Sequence, residues 1–244
     1  MAKPNKDFIK ETNSELNGAP HPPTDFSSIN NFPLNLKQCL YVVDWQDGKI
    51  SFCKNTKRVL GYNNKEFNLE TLLNIAHPED LEHIRRITQA VVNHLTKSTH
   101  LDLQCSTFNI TYRFRKKDNT YVKILRQSSI FERTELGQMK SNLSILTDIS
   151  FFDKSDSIKW ELDIPGMNPA DFKKEIYNEY LGFFTNREIE IIKLIADGFN
   201  TKSMAKQLFI STHTVYSHRK NILKKSNCHN SKELIEFCLK IGVL

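Results

Sequence analysis

The chain has 244 residues, a formal net charge of +6, and 25% charged residues against 39% hydrophobic ones. Its five cysteines (Cys39, Cys53, Cys105, Cys228, Cys238) are odd in number, scattered, and form no Cys-x-x-Cys pair, which argues against a disulfide scaffold. No basic-then-apolar leader opens the sequence and no apolar run approaches the ~20 residues that span a bilayer, so a cytoplasmic protein with reduced thiols is expected, with no membrane partner.

The first 35 residues are polar and hold five of the eight prolines (Pro4, Pro20, Pro22, Pro23, Pro33). They are expected to form a flexible arm with at most a short helix. A globular stretch, 36–150, follows. Cys39-Leu-Tyr-Val-Val43 reads as a buried strand, and Lys49-Ile-Ser-Phe-Cys53 as its hairpin partner across the turn dipeptide Asp47-Gly48. Short helical pieces are expected from Asn55 to Ala76 and a longer helix from about Asp80 to Thr96. Strands then return. Phe108, Ile110, Tyr112 and Phe114 alternate with Asn109, Thr111, Arg113 and Arg115, which places the aromatic set inward and Arg113 and Arg115 toward solvent or a partner. Asp118-Asn119 is a turn, Tyr121 to Glu132 the next strand, and Leu143, Ile145, Thr147 and Ile149 alternate in the last. From 151 to 183 the composition turns acidic, with Pro165-Gly166 as a breaker. That segment reads as a linker with one helix, from the Asn168-Pro169 cap pair through Tyr180.

Residues 184–244 carry four short helical patterns. Thr185 and Glu188 are spaced for a reciprocal capping box, and Gly198 can take the left-handed conformation that ends the first helix. Asn200 and Ser211 are N-cap types for the second and third, and Ser231 opens a fourth pattern that runs to Gly242. The break at Phe209-Ile210 is too tight for anything but a helix-turn-helix. In the third helix Val215, Ile222 and either His218 or Arg219 face inward, while Tyr216, Ser217, Lys220 and Lys224 lie opposite. Between Thr212 and Asn227 there are four basic residues (Arg219, Lys220, Lys224, Lys225) and no acidic one, which suits a major groove bounded by phosphates. The whole segment holds ten Lys and Arg against five Asp and Glu, a dense positive charge where DNA is expected.

On these residues the segment resembles the LuxR-type (GerE-type) DNA-binding domain of bacterial transcription regulators. The matches are Phe184-Thr-Asn-Arg-Glu188, Ile195-Ala-Asp-Gly198, Lys202 with Ala205 and Leu208, Ile210-Ser211, Thr214-Val215, His218, Asn221-Ile222, Lys225 and Ile241-Gly-Val-Leu244. The resemblance implies that Tyr216, Ser217 and Lys220 reach base edges. Lys202, Thr214, Arg219, Lys224 and Lys225 complete the expected DNA-binding set. The chain departs from the family at Tyr216, where Lys is usual, at Ser226, where Leu is usual, and at Thr201-Lys-Ser203, where Asn-Lys-Glu is usual.

Residues 36–150 are similar to PAS domains in the order and spacing of four pieces: Asn55 with Leu60-Gly-Tyr62 and Glu66, His77-Pro-Glu-Asp80, Tyr112-Arg-Phe-Arg-Lys-Lys-Asp118, and Thr147-Asp-Ile149. The expected fold is therefore an α+β PAS domain, a five-stranded antiparallel sheet with flanking helices, followed by an all-α four-helix helix-turn-helix domain. The resemblance leaves the ligand open. Flavin photochemistry is not expected, because Asn55-Thr-Lys-Arg-Val-Leu60 has no thiol. Haem is not expected either, since His83 and His94 read as ordinary exposed helical histidines and His77 as a turn or capping residue. No spacing suggests zinc and no phosphate loop is present. Either a small apolar molecule fills the cavity or Phe, Ile and Leu do, leaving the domain to dimerise.

Asp44 after an apolar strand superficially resembles a phosphorylated receiver's acceptor, but the acidic pair upstream and the strand-helix alternation are missing. No kinase, cyclase or hydrolase motif follows the sheet domain, so no enzyme is expected. The reading is a bacterial transcription regulator whose partners are double-stranded DNA, a second copy and RNA polymerase. An interaction adaptor with a silent helix-turn-helix is the rival, and Lys220, Lys224 and Lys225 speak against it.

Overall fold

The computed structural model describes residues 4–16, 24–97, 106–165, 167–168, 172, 176, 183–226 and 228–244. The chain divides into two compact units, Met1–Pro169 and Ala170–Leu244.

The first unit is built on one antiparallel sheet. β1 (Gln38–Asp44) and β2 (Lys49–Lys54) form the expected hairpin, with Gly48 at φ 63° in its turn. Helices α3 (Thr56–Leu60), α4 (Leu69–Leu72) and α5 (Pro78–Lys97) come next, and then β3 (Thr107–Arg115), β4 (Tyr121–Arg133) and β5 (Met139–Asp148). Phe108, Ile110, Tyr112 and Phe114 are buried, as their alternation required. Ile84, Ile87, Val91, Val92 and Leu95 recur at helical spacing on α5, and all are buried. His77 has the expected turn role: its carbonyl accepts from Asp80 and Leu81, and its Nδ1 accepts from the Glu79 amide at 3.3 Å.

Five features differ from the sequence reading. The sheet has six strands, in the order β2-β1-β5-β4-β3-β6, because Lys159–Asp163 forms β6 on the open edge of β3. This strand lies in the segment read as linker. Its charges at 159, 161 and 163 alternate with Trp160 and Leu162, and Leu162 is buried, so a short period-two pattern was hidden by acidic composition.

The N-terminal segment is no simple arm. α1 (Asn5–Leu16) buries Phe8, Thr12 and Leu16, four residues apart, and Phe8 meets Trp45 edge-on at 5.9 Å. α2 (Ser27–Asn30) and its flanks lay Phe26, Ile29 and Leu34 over the sheet face that carries Leu40 and Val42. Phe26 stacks on Phe52 at 5.2 Å and on Phe131 at 6.1 Å. Both faces of the sheet are therefore covered. Leu143 and Ile145 sit half-buried under this cover, and the deeply buried face of β5 is the other one, with Ser144 and Leu146.

Arg113 does not face solvent. Its guanidinium reaches Asp80, which is fully buried, at 2.6 Å, Glu79 at 2.9 Å and Asp156 at 3.4 Å. Hydrogen bonds to Asp80, outweighing partial burial, push the Arg113 pKa further up. Finally, His83 is buried and His94 half-buried rather than exposed. The expected linker helix from 168 to 180 falls outside the described residues, except for Phe172 and Ile176, which are helical and buried.

The second unit has α6 (Asn186–Ala196), α7 (Thr201–Leu208), α8 (Thr212–Ser226) and α9 (Ser231–Lys240) among its described residues. Its core joins Phe184, Ile191, Ile192, Met204, Val215, Ile222, Leu234 and Cys238. Burial pushes the Cys39 and Cys238 thiols up to about 12, so both stay protonated and inert at neutral pH.

Candidate nucleic-acid interface

Local chemistry sets the frame. The capping box at α6 is formed: the Thr185 hydroxyl accepts from the Glu188 amide at 3.2 Å, and Glu188 accepts from the Thr185 amide at 2.7 Å. Gly198 takes φ 80° after α6, and Asn200 caps α7 through the Ser203 amide at 3.0 Å. α7 ends at Phe209, which holds a left-handed φ of 54° and is 95% exposed. The Ile210 amide returns to the Ala205 carbonyl at 3.0 Å, and Arg187 donates to the Leu208 carbonyl at 2.7 Å. Ser211 then caps α8, accepting from the Thr214 amide at 3.0 Å. Two helices are thus joined by three residues and pinned from outside by Arg187. The sequence reading missed this arginine, because its partner is a carbonyl 21 positions away.

α8 buries Val215, Ile222 and Ser226, and its opposite side is open. Tyr216, Lys220 and Lys224, one helical turn apart, form a row on that side; all three are exposed, Tyr216 at 65%. Ser217 is half-buried beside them, and Thr214 is half-buried with its hydroxyl 2.8 Å from Ser211. Lys202 is exposed on α7. Lys202, Lys220 and Lys224 have no ion pair among the described residues, so their charge is available to a ligand.

Two members of the expected set are engaged within the unit. Arg219 is half-buried and donates to the Ser231 hydroxyl at 3.1 Å, tying α8 to the start of α9. Lys225 pairs with Glu188 at 3.0 Å and lies 5.8 and 5.6 Å from the ring centres of Phe183 and Phe184. These contacts make Arg219 and Lys225 fasteners of the bundle. Among the eight residues expected to meet DNA, they are the two whose charge already has an internal destination.

Glu188 gathers these contacts. Burial alone would raise its pKa, but the Thr185 amide and Lys225 outweigh it and hold the carboxyl below the usual glutamate value. A depressed folded-state pKa contributes stability that is complete above the unfolded value, about 4.3, and lost as pH falls through the lower folded one. The thermal midpoint of the C-terminal transition in the full chain is therefore expected to fall on acidification through that range. Glu188→Gln should lower it at pH 7 and flatten its acid dependence, which calorimetry across pH 3–7 would read.

The first unit has a partly open cavity of about 40 Å³ between α5 and the inner sheet face. Val91, Val92, Leu95 and Met139 give it apolar walls, as expected, and neither His83 nor His94 lines it. It also has a polar side. The Trp45 indole donates to Asn142 at 2.8 Å, Asn142 donates to the Ser144 hydroxyl at 3.0 Å, and Ser144 pairs with Ser128 at 2.8 Å. Tyr41 and Arg126 stand on the same wall, both buried.

Residues 183–238 match the family described as bacterial regulatory proteins, luxR family, and residues 49–146 match the PAS fold. Among curated proteins, the uncharacterized response regulatory protein YgeK of Escherichia coli (strain K12) is 51% identical over 59 residues, 24% of this chain and 40% of that protein. The oxygen regulatory protein NreC of Staphylococcus carnosus (strain TM300) is 40% identical over 67 residues, 28% of this chain and 31% of its own length. The chain thus spans less than half of these relatives. Among solved structures, the PAS domain of a Colwellia psychrerythraea protein aligns with 47% of this chain and 88% of its own, at 22% identity and a TM-score of 0.37. The phage VqmA-DPO complex aligns over 88% of each chain, at 14% identity and a TM-score of 0.35.

Proposed function

We propose that this chain, a PAS fold followed by a LuxR-type helix-turn-helix domain, is a sequence-specific DNA-binding regulator of bacterial transcription. The observation that carries the reading is the row Tyr216, Lys220 and Lys224 on the open side of a capped helix whose other side is core. A helix about 10–12 Å across fits the major groove, about 12 Å wide, and enters it with such a row against the base edges. Lys220, Tyr216 and Ser217 are the reading residues, and Lys224 and Lys202 neutralise phosphate; Thr214 lies near the helix start, where backbone contacts are made.

The protein acts as a homodimer in this reading, because a single short helix covers too few base pairs to specify a site. Two copies meet half-sites about one helical turn apart, or about 10 bp. The sheet domain supplies the sensory or dimerising part, and RNA polymerase is the downstream partner at the promoter. Catalysis has no place in it.

Selection of the full chain on randomised duplexes tests the proposal. A paired motif with half-sites about 10 bp apart is expected, with affinity falling steeply between 50 and 200 mM salt. Recovery of no motif, with binding no tighter than to bulk competitor DNA, would sink it.

A further inference from the structure

Arg126 is an anomaly in an apolar place. On β4 it follows Val122 and Ile124 on the inner face, and its side chain is 94% buried in the cavity wall. One amino group donates to Thr88 at 3.0 Å, and the guanidinium lies 5.2 and 5.8 Å from the ring centres of Phe108 and Tyr112. Its Nε has no hydrogen-bond partner, and no Asp or Glu lines the cavity among the described residues. Ser106, also buried on the cavity wall, has a hydroxyl without a hydrogen-bond partner among the described residues. A buried cation costs several kcal/mol unless an anion and hydrogen bonds compensate it. Aromatic faces and the hydroxyls of Tyr41 and Tyr112, which hydrogen-bond to the guanidinium, return part of this, but none of them supplies the anion that a buried cation calls for.

We propose that this cavity binds a small organic carboxylate, whose oxygens accept from Arg126 while a short apolar body lies against Val91, Val92 and Leu95. Arginine and carboxylate match in shape and charge, and the low-dielectric wall strengthens their bond. The cavity's size limits the ligand: about 40 Å³ equals roughly three water sites at 10–15 Å³ each. The proposed acid is therefore one of a few carbons. Trp45, Asn142, Ser144 and Ser128 satisfy one another, so they shape the wall and leave recognition of the charge to Arg126.

The inference rests on reading the sheet domain as a sensor. Its test titrates the full chain with acetate, butyrate and hexanoate, and with the uncharged butyramide and 1-butanol, by calorimetry. At least one carboxylate is expected to bind ten times more tightly than butyramide, and Arg126→Gln should bring the two within twofold. Arg126→Lys keeps the charge but loses the forked donor pair; it should weaken the carboxylate several-fold and provides a milder change if Arg126→Gln does not fold. Equal binding of butyrate and butyramide by the unmodified protein overturns the proposal. So does failure of every acid to bind at millimolar concentration, or a carboxylate preference that survives Arg126→Gln. Selection on DNA with the same preparation separates the two readings: a motif recovered without carboxylate binding removes only this one.

Discussion

Asp80→Ala should cost the sheet domain about 3–5 kcal/mol of unfolding free energy, the range for breaking a buried ion pair from one side. Asp80 is fully buried and accepts three bonds from Arg113: from Nη2 at 2.6 Å, Nε at 3.0 Å and the backbone amide at 3.2 Å. Its removal leaves a guanidinium with a side chain only 15% exposed, held by the exposed carboxylates of Glu79 and Asp156. It also frees the join between the start of α5 and the middle of β3. Asp80→Asn keeps an acceptor and should cost less. The two tryptophans, Trp45 and Trp160, both belong to the first unit, so urea unfolding followed by their fluorescence reports this unit alone. A loss below 1 kcal/mol would mean that Arg113 is satisfied without Asp80.

Lys220→Ala should cost about 1–3 kcal/mol on the selected site and much less on random DNA, because a side chain at a base edge carries discrimination. Lys224→Ala should weaken all sequences alike and reduce the salt slope by about one unit, the signature of one lost phosphate contact. The pair is informative because both lysines are exposed on the same row, one turn apart. Equal losses on specific and random DNA for Lys220→Ala would make it a phosphate contact and remove it from the reading set.

Much of this architecture was legible in the chain. The capping box, the caps at Asn200 and Ser211, the left-handed Gly198 and the alternation along β3 are local signals, and local physics fixed them. What escaped was long-range. Lys225 and Lys224 are indistinguishable in sequence, yet one lies opposite Glu188, 37 positions earlier, and the other is open to solvent. β6 and α1 were obscured by polar composition, although Trp160 and Leu162, and Phe8 and Leu16, already had the periods of a strand and a helix. Arg126 was visible as a charge on the apolar side of an alternating strand. Its meaning required knowing that no acidic residue among the described ones lines the wall around it, which only the fold decides.

β6 has one further consequence. Leu162 is part of the cavity wall, and two residues beyond it, past Ile164, the chain runs on toward the second unit. Occupancy of the cavity and docking of this strand are therefore linked equilibria. A ligand that binds only the docked form, present at a hundred times its dissociation constant, adds about 2.7 kcal/mol to docking. Reciprocity then requires that whatever holds the strand down tightens the ligand by the same factor, and whatever loosens it expels the ligand. Anything that pulls β6 away from β3 would be felt in the cavity as a change in affinity.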